Sequence, residues 1–496
     1  MDESDSVRSA AAGMGPRSTS PGADPTLSGP PPRIRAESDG YPIDSAFPEL
    51  PVATDCGQML GVFREHLEPL AGKAIEIRSC RPFRFRCHQS DSRSVLQYTL
   101  HVADRATGRE WDQWVTGLLY AENAKAEQLW KELQDEDPSG EIPERWRSFR
   151  PIAFVPDLRM IVEVFPYDRK LRNLRRVMGM ERDLLESVAR ERLGPGSWYL
   201  DFPTIRPTRY RTELGATLRY TVRARELKSN RLETVRLYLK VYRERNQRGA
   251  ETFQTLRAIR DKVRRSPAAY AVVEPIAYLK DVRTLILAEA PGQSLTHFLR
   301  RVSDPADAMR RVARALAEFN QDDLPFSRSL SLADRLSLVR RSSDLLEWAC
   351  PERKATVQSL AEKVLRESEE VPSSPIHGDM KPDHVFLDDD SITFIDFDSI
   401  VLGDSLYDPS HLFAYLVGGA RTESYRKSVE GRAAETFVKE YFRLVPAAWE
   451  PRFPIAAAGA LLEVGCSIFR RHEPGWREQL RRVVGYGEEV LSEGGL

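Results

Sequence analysis

The feature that most constrains this chain is an internal repeat. Residues 81–86 read RPFRFR and residues 206–211 read RPTRYR. Each is followed by a stretch with alternate apolar residues, LQYTLHV at 96–102 and LRYTVRA at 218–224. Period-two alternation marks a half-buried strand. A second strand ending in tyrosine comes next, at 114–120 and at 235–242. Then comes an amphipathic helix with an Ala-Glu pair, Ala126-Glu127 in one copy and Ala250-Glu251 in the other. Last are PIAF at 151–154 and PIAY at 275–278, each leading into an apolar strand. Five matches in one order predict a duplicated module, each copy running strand–strand–strand–helix–strand–strand. From about residue 296 the spacing turns helical, as at Met309, Val312, Ala313, Leu316 and Phe319.

The chemistry-bearing residues concentrate at 377–398, which read HGDMKPDHVFLDDDSITFIDFD. Asp379 follows His377 in a polar turn, and Asp396 and Asp398 close an apolar run at 392–397. Phosphoryl transfer from a nucleotide needs carboxylates at two such turns. One accepts the proton of the attacking hydroxyl, and the other holds the magnesium that bridges the phosphates. Upstream, Lys240 sits inside the apolar strand LYLKVY at 237–242. A lysine so flanked is costly unless paired; Glu251 and phosphate oxygens are its candidate partners. The alternative is an edge-strand lysine facing water. In the first copy Leu118 stands in the matching place, so that copy lacks a phosphate-facing cation and reads as degenerate.

The 377–398 segment resembles the catalytic and metal-binding loops of the aminoglycoside phosphotransferase and choline kinase-like family, small-molecule relatives of the protein kinases. The family pattern is His-Gly-Asp, four variable residues, Asn, an apolar strand, then Asp. Here His384 stands at the Asn position. The resemblance covers about residues 190–496 and implies an α+β, protein kinase-like two-lobed fold. Its β-rich N-lobe is expected at 186–295 and its helical C-lobe, with the catalytic loop, at 296–496. A degenerate N-lobe-like copy at 41–185 precedes them.

The resemblance further implies ATP and Mg2+ as cofactors, Asp379 as catalytic base, Asp396 as metal ligand, and Lys240 paired with Glu251 at the phosphates. Gly215 is the one glycine between the first two strands of that lobe, where protein kinases carry a glycine-rich loop. Glu289 and Ala290, ahead of Pro291-Gly292, would form the hinge that offers backbone groups to adenine. His384 is either a metal ligand, a poor one for a hard ion, or a structural histidine. Asp398 makes either a metal contact or a structural hydrogen bond. His377 is expected to bond to backbone beneath the loop, and Asp408 to cap the following helix. The implied reaction moves the γ-phosphate of ATP to a hydroxyl of a small molecule of the aminoglycoside, sugar or amino alcohol class. The alternative is a non-catalytic nucleotide-binding scaffold, a pseudokinase-like regulator, with the duplication and His384 as its marks.

Composition narrows the partners. A formal net charge of −1 over 496 residues gives no electrostatic case for nucleic acid or an anionic membrane. The cluster Arg169, Arg172, Arg175 and Arg176 has acidic neighbours and no interleaved aromatic platform, the pattern of a solvated helix face. The five cysteines have no metal-ligand spacing and suit reduced thiols in a cytoplasmic protein. No run of about 18 apolar residues is present. The acidic start, Asp2, Glu3 and Asp5, is unlike a secretory signal. Residues 1–40, rich in Ser, Pro and Gly, read as a disordered tail. The oligomeric state stays open.

Overall fold

The computed structural model describes residues 42–492, except 43, 89–92, 137, 181–182, 245–246, 325, 327, 420–427 and 472; of 83–88 and 183–184 it describes the backbone alone. The tail expected at 1–40 lies outside the described residues.

Two short helices, α1 (Leu50–Thr54) and α2 (Cys56–His66), precede the first sheet. That sheet comprises β1 (Ile75–His88), β2 (Arg93–Asp104), β3 (Glu110–Tyr120), then after α3 (Asn123–Leu133) β4 (Ile152–Val155) and β5 (Met160–Val164). Helices α4 (Asn173–Met178) and α5 (Asp183–Leu193) lead to the second sheet. Its strands are β6 (Trp198–Arg211), β7 (Gly215–Glu226), β8 (Leu232–Tyr242) and, beyond α6 (Arg248–Arg265) and β9 (Ala271–Val272), β10 (Pro275–Leu279) and β11 (Thr284–Ala288). The strand orders are β1-β2-β3-β5-β4 and β6-β7-β8-β11-β10. In both sheets the order is therefore first, second, third, fifth, fourth.

Local details repeat as well. Each turn between the last two strands is a short 3-10 helix ending on a left-handed arginine, Arg159 (φ 49°) and Arg283 (φ 46°). The carbonyls of these arginines accept the amides of Tyr120 and Tyr242, at 3.1 and 3.0 Å. In this register Leu118 lies opposite Ile161, and Lys240 opposite Leu285. Leu118 therefore occupies the Lys240 position, and it is fully buried.

The C-lobe begins with β12 (Gln293–Ser294), α7 (Leu295–Leu299), α8 (Ala306–Asn320), α9 (Leu332–Ala349) and α10 (Lys354–Glu367). The apolar spacing noted along α8 is its buried stripe, and a Ser331–Asp334 capping box starts α9. Then come β13 (Ser373–Ile376), β14 (Val385–Leu387), β15 (Ile392–Phe394) and β16 (Val401–Asp404). Antiparallel pairing of β13 with β16 and of β14 with β15 draws the two carboxylate turns together. Helices α11 (Tyr407–Gly419), α12 (Val429–Leu444), α13 (Phe453–Arg471) and α14 (Trp476–Ser492) complete the lobe. The helical stretch Ala447–Arg471 is long and apolar enough to cross a membrane by composition, but 67% of its apolar window is buried inside the protein. Its packing against α9, α10, α11 and α14 accounts for the apolar sequence.

One core cluster joins the linker to the second sheet. Phe165, Leu171, Leu174, Val177 and Met178 pack with Tyr210, Leu218 and Leu239. The arginine cluster there departs from a solvated face. Arg172 and Arg176 are exposed, but Arg175 is buried, over the Tyr167 ring and 2.8 Å from Glu141.

Candidate active site

Three backbone devices build the site. Gly378 adopts φ +75°, and a Cβ there would meet the Ser399 carbonyl oxygen at 2.4 Å, so only glycine fits the His-Gly-Asp turn. Asp396 is also left-handed, at φ 67°, a conformation that costs a non-glycine residue about 1–3 kcal/mol and persists where the surroundings enforce it. Gly292, after the hinge, would place a Cβ 1.9 Å from the Leu387 carbonyl oxygen.

The turn is anchored from α11. Asp408 accepts the His377 amide at 2.6 Å and the Gly378 amide at 3.0 Å. It lies inside the first turn of α11 and caps nothing, contrary to expectation. Burial pushes its carboxyl up, against the pull of His377 and the amides it accepts. His377 is buried and bonds through Nε2 to the Ile395 carbonyl at 2.8 Å, the backbone contact expected of it.

The Asp379 carboxylate accepts from Lys381 at 2.8 Å. Burial alone would raise its pKa, yet Lys381 and His384 hold it below the usual aspartate value. It is therefore ionised at neutral pH and able to take a proton. His384 links the two carboxylate turns: its Nδ1 lies 2.9 Å from the Asp379 carbonyl oxygen, and its Nε2 lies 3.2 Å from Asp396 Oδ2. Ligand atoms of Asp379, His384 and Asp396 all fall within 4.8 Å of one another. Two hard carboxylates beside one imidazole fit a divalent cation, with the oxygens the better ligands for magnesium.

Lys240 does project from β8 into this cluster, but its partner is not Glu251. Its ammonium lies 2.5 Å from Asp396 Oδ1 and 2.7 Å from Asp398 Oδ2. Burial works against the charge, and the two aspartates more than offset it, holding the Lys240 pKa above its ordinary value. Asp396 in turn is held well below the usual carboxylate range: burial would raise it, but Lys240, His384 and Arg209 prevail. Glu251 is exposed, because α6 buries Gly249, Thr252, Leu256 and Ile259, and Glu251 falls off that stripe. Asp398 is the anchor in its stead, also accepting from Tyr242 at 2.6 Å and Thr252 at 3.4 Å.

A cleft of about 1890 Å³ surrounds these groups. Glu289 and Ala290 line it, with Glu289 3.1 Å from Arg236. Gly215 is not among the lining residues. It pairs with Tyr242 at the start of β7, and a Cβ would meet the Val241 carbonyl oxygen at 2.9 Å. The preceding hairpin contributes Thr212 and Leu214 instead. Between them Glu213 holds φ 62°, its carboxylate clasped by Arg93 of β2 at 2.9 and 2.5 Å. Val95 and Gln97 of the first sheet also line the cleft. Three contributors escaped the sequence reading. Arg209 lies 3.1 Å from Asp396; the alternation of RPTRYR could have placed it on the cleft face. Lys381, two residues after Asp379, was read only as part of a bend. Arg93 carried no signal, since its partner is 120 residues away.

Residues 212–449 match the model of APH, the phosphotransferase enzyme family, and the resemblance read from the His377-to-Asp398 segment stands. No curated protein matches the sequence. Among solved structures, an ADP-bound aminoglycoside phosphotransferase, APH(2'')-Ib, is 13% identical, covering 63% of this chain and 99% of that one at TM-score 0.36. The choline kinase of Cryptosporidium parvum is 10% identical, covering 59% of this chain and 90% of that one, TM-score 0.38. A choline/ethanolamine kinase family protein of Mesorhizobium loti is 13% identical, with coverages of 55% and 89% and TM-score 0.37.

Proposed function

We propose that the chain is an ATP-dependent phosphotransferase that moves the γ-phosphate to a hydroxyl of a small molecule of the aminoglycoside, sugar or amino alcohol class, in the cytoplasm. The observation that carries this reading is the convergence of Asp379, His384, Asp396 and Lys240 on one cleft. Asp379 accepts the acceptor's hydroxyl proton as its oxygen attacks the γ-phosphorus. The bond from that phosphorus to the β–γ bridging oxygen breaks, and ADP leaves with the electron pair. Lys240, paired with Asp396 and Asp398, would also pair with phosphate oxygens of the nucleotide. Asp396, with His384 beside it, would hold magnesium, which would supply positive charge for the phosphates. Glu289 and Ala290 would offer hinge backbone to the adenine.

We also propose that the two β-units are duplicates, a reading supported by their common strand order and paired arginine turns. The first unit binds no nucleotide in this reading, because buried Leu118 cannot offset phosphate charge. The test of the activity is Asp379→Asn. It should abolish transfer while MgATP affinity, followed by thermal shift, stays within a few-fold. Wild-type turnover in that variant would remove Asp379 from the mechanism.

A further inference from the structure

The half of the cleft beyond Asp379 is where an acceptor would lie, and its charges do not balance. Three of its acids face cations or a hydroxyl. Asp379 is taken by Lys381 at 2.8 Å, Glu463 by His411 at 3.3 Å and Tyr407 at 3.4 Å, and Glu473 faces Arg471 at 4.0 Å. The side chains of two cations lining the same cleft, Arg211 and Arg470, have no hydrogen bond or ion pair among the described residues. They come from opposite lobes. Arg211 ends β6, two residues after Arg209 and so on the same face of the strand. Arg470 stands in the last turn of α13.

The charge of Arg470 reaches Arg211. Burial lowers the Arg211 pKa, and the positive charges of Arg209 and Arg470 lower it further, against the pull of Asp379 and Asp396. A guanidinium does not shed its proton in a protein, and both side chains are exposed to the open cleft, where water or a bound anion relieves this field. Arginine forks match the oxygens of carboxylate and phosphate. Compensation of the α13 dipole explains why arginines cluster in a last turn, but it does not account for Arg211, which belongs to the other lobe.

We propose that the acceptor carries an anionic group, a phosphate or a carboxylate, beside its reactive hydroxyl, and that Arg211 and Arg470 bind that group. The proposal rests on the phosphotransferase reading and narrows it. A polycationic amine or a neutral polyol leaves both arginines unmatched.

The test uses the full chain. The nucleotide site is first filled with magnesium and a non-hydrolysable ATP analogue, so that an added anion cannot occupy the γ-phosphate position. Sulfate is then titrated and followed by thermal shift. Wild type should be stabilised, and Arg470→Gln should need at least tenfold more sulfate for the same shift. Equal responses in the two proteins, or none in wild type, overturn the anion site. Turnover with MgATP is then compared among glucose 6-phosphate, gluconate, glucose, kanamycin and choline. Preference for an anionic acceptor, with KM raised at least tenfold and kcat changed less than threefold in Arg470→Gln, supports the proposal. Preference for kanamycin or choline overturns it and leaves the phosphotransferase reading intact. Failure of the nucleotide analogue to bind defeats the phosphotransferase reading, while the sulfate comparison still decides the anion site.

Discussion

Replacing Arg93 by methionine removes both hydrogen bonds that clasp Glu213 and keeps most of the apolar stem. The two side chains are 8% and 4% exposed, so the remaining carboxylate would be a buried charge. Removing one partner of a buried pair costs about 3–5 kcal/mol. Lys170 at 3.3 Å and Arg169 at 3.5 Å remain near Glu213 and offset part of this, which places the expected loss near the lower end, about 3 kcal/mol. Glu213 is also left-handed, so freeing it lets the hairpin relax and should raise the KM for MgATP. Urea denaturation at neutral pH measures the stability loss. Arg93→Met combined with Glu213→Leu should recover most of it, because no uncompensated charge is left.

The pH dependence of this loss has a defined sign. Burial would raise the Glu213 carboxyl, but Arg93, Lys170 and Arg169 hold it below the ordinary glutamate value. A carboxyl depressed in the folded state contributes stability above its unfolded pKa and loses it as pH falls through the folded one. The gap between wild type and Arg93→Met should therefore shrink below about pH 4.3. A gap under about 0.5 kcal/mol at neutral pH, the ordinary range for inert surface changes, would refute the reasoning. So would a double variant no more stable than the single one.

Asp398→Ala should weaken MgATP binding at least tenfold, whereas Glu251→Ala should stay within twofold; titration calorimetry giving the opposite ranking would return the lysine anchor to the helix. Gly378→Ala combines a positive φ with a 2.4 Å approach to a backbone carbonyl oxygen, so it should cost at least about 2 kcal/mol and most of the turnover. An unchanged melting temperature would show that the turn tolerates a side chain.

What the sequence disclosed and what it hid follow from how far apart the partners lie. Asp379, His384 and Asp396 share one short segment, folded back by β14 and β15, so their convergence was legible from spacing. Lys240 was legible because a lysine amid apolar neighbours needs an explanation. Its anchor was not: the choice between Glu251 and Asp398 depends on the rotational phase of α6, and a one-residue offset turns a side chain by about 100°. Gly215 misled for a related reason, since it reads as loop but pairs as the first residue of β7. The arginines of RPTRYR served only as repeat markers, although their alternation sends Arg209 and Arg211 into the cleft. The clasp of Arg93 on Glu213 joins two sheets, and no local pattern announces such a pair.

The core shared by Phe165–Met178 and the second sheet has a consequence for inheritance. A fragment begun at residue 186 would carry a sheet whose apolar face has lost its cover, and exposed layers of that kind drive association. A portable unit carrying the second sheet with its cover has to begin upstream of Phe165, and it is larger than the matched span of 212–449. Recombination within the linker would break one hydrophobic layer into two incomplete halves, so the Phe165–Met178 segment is bound to travel with the second sheet, through evolution or through a cloning design.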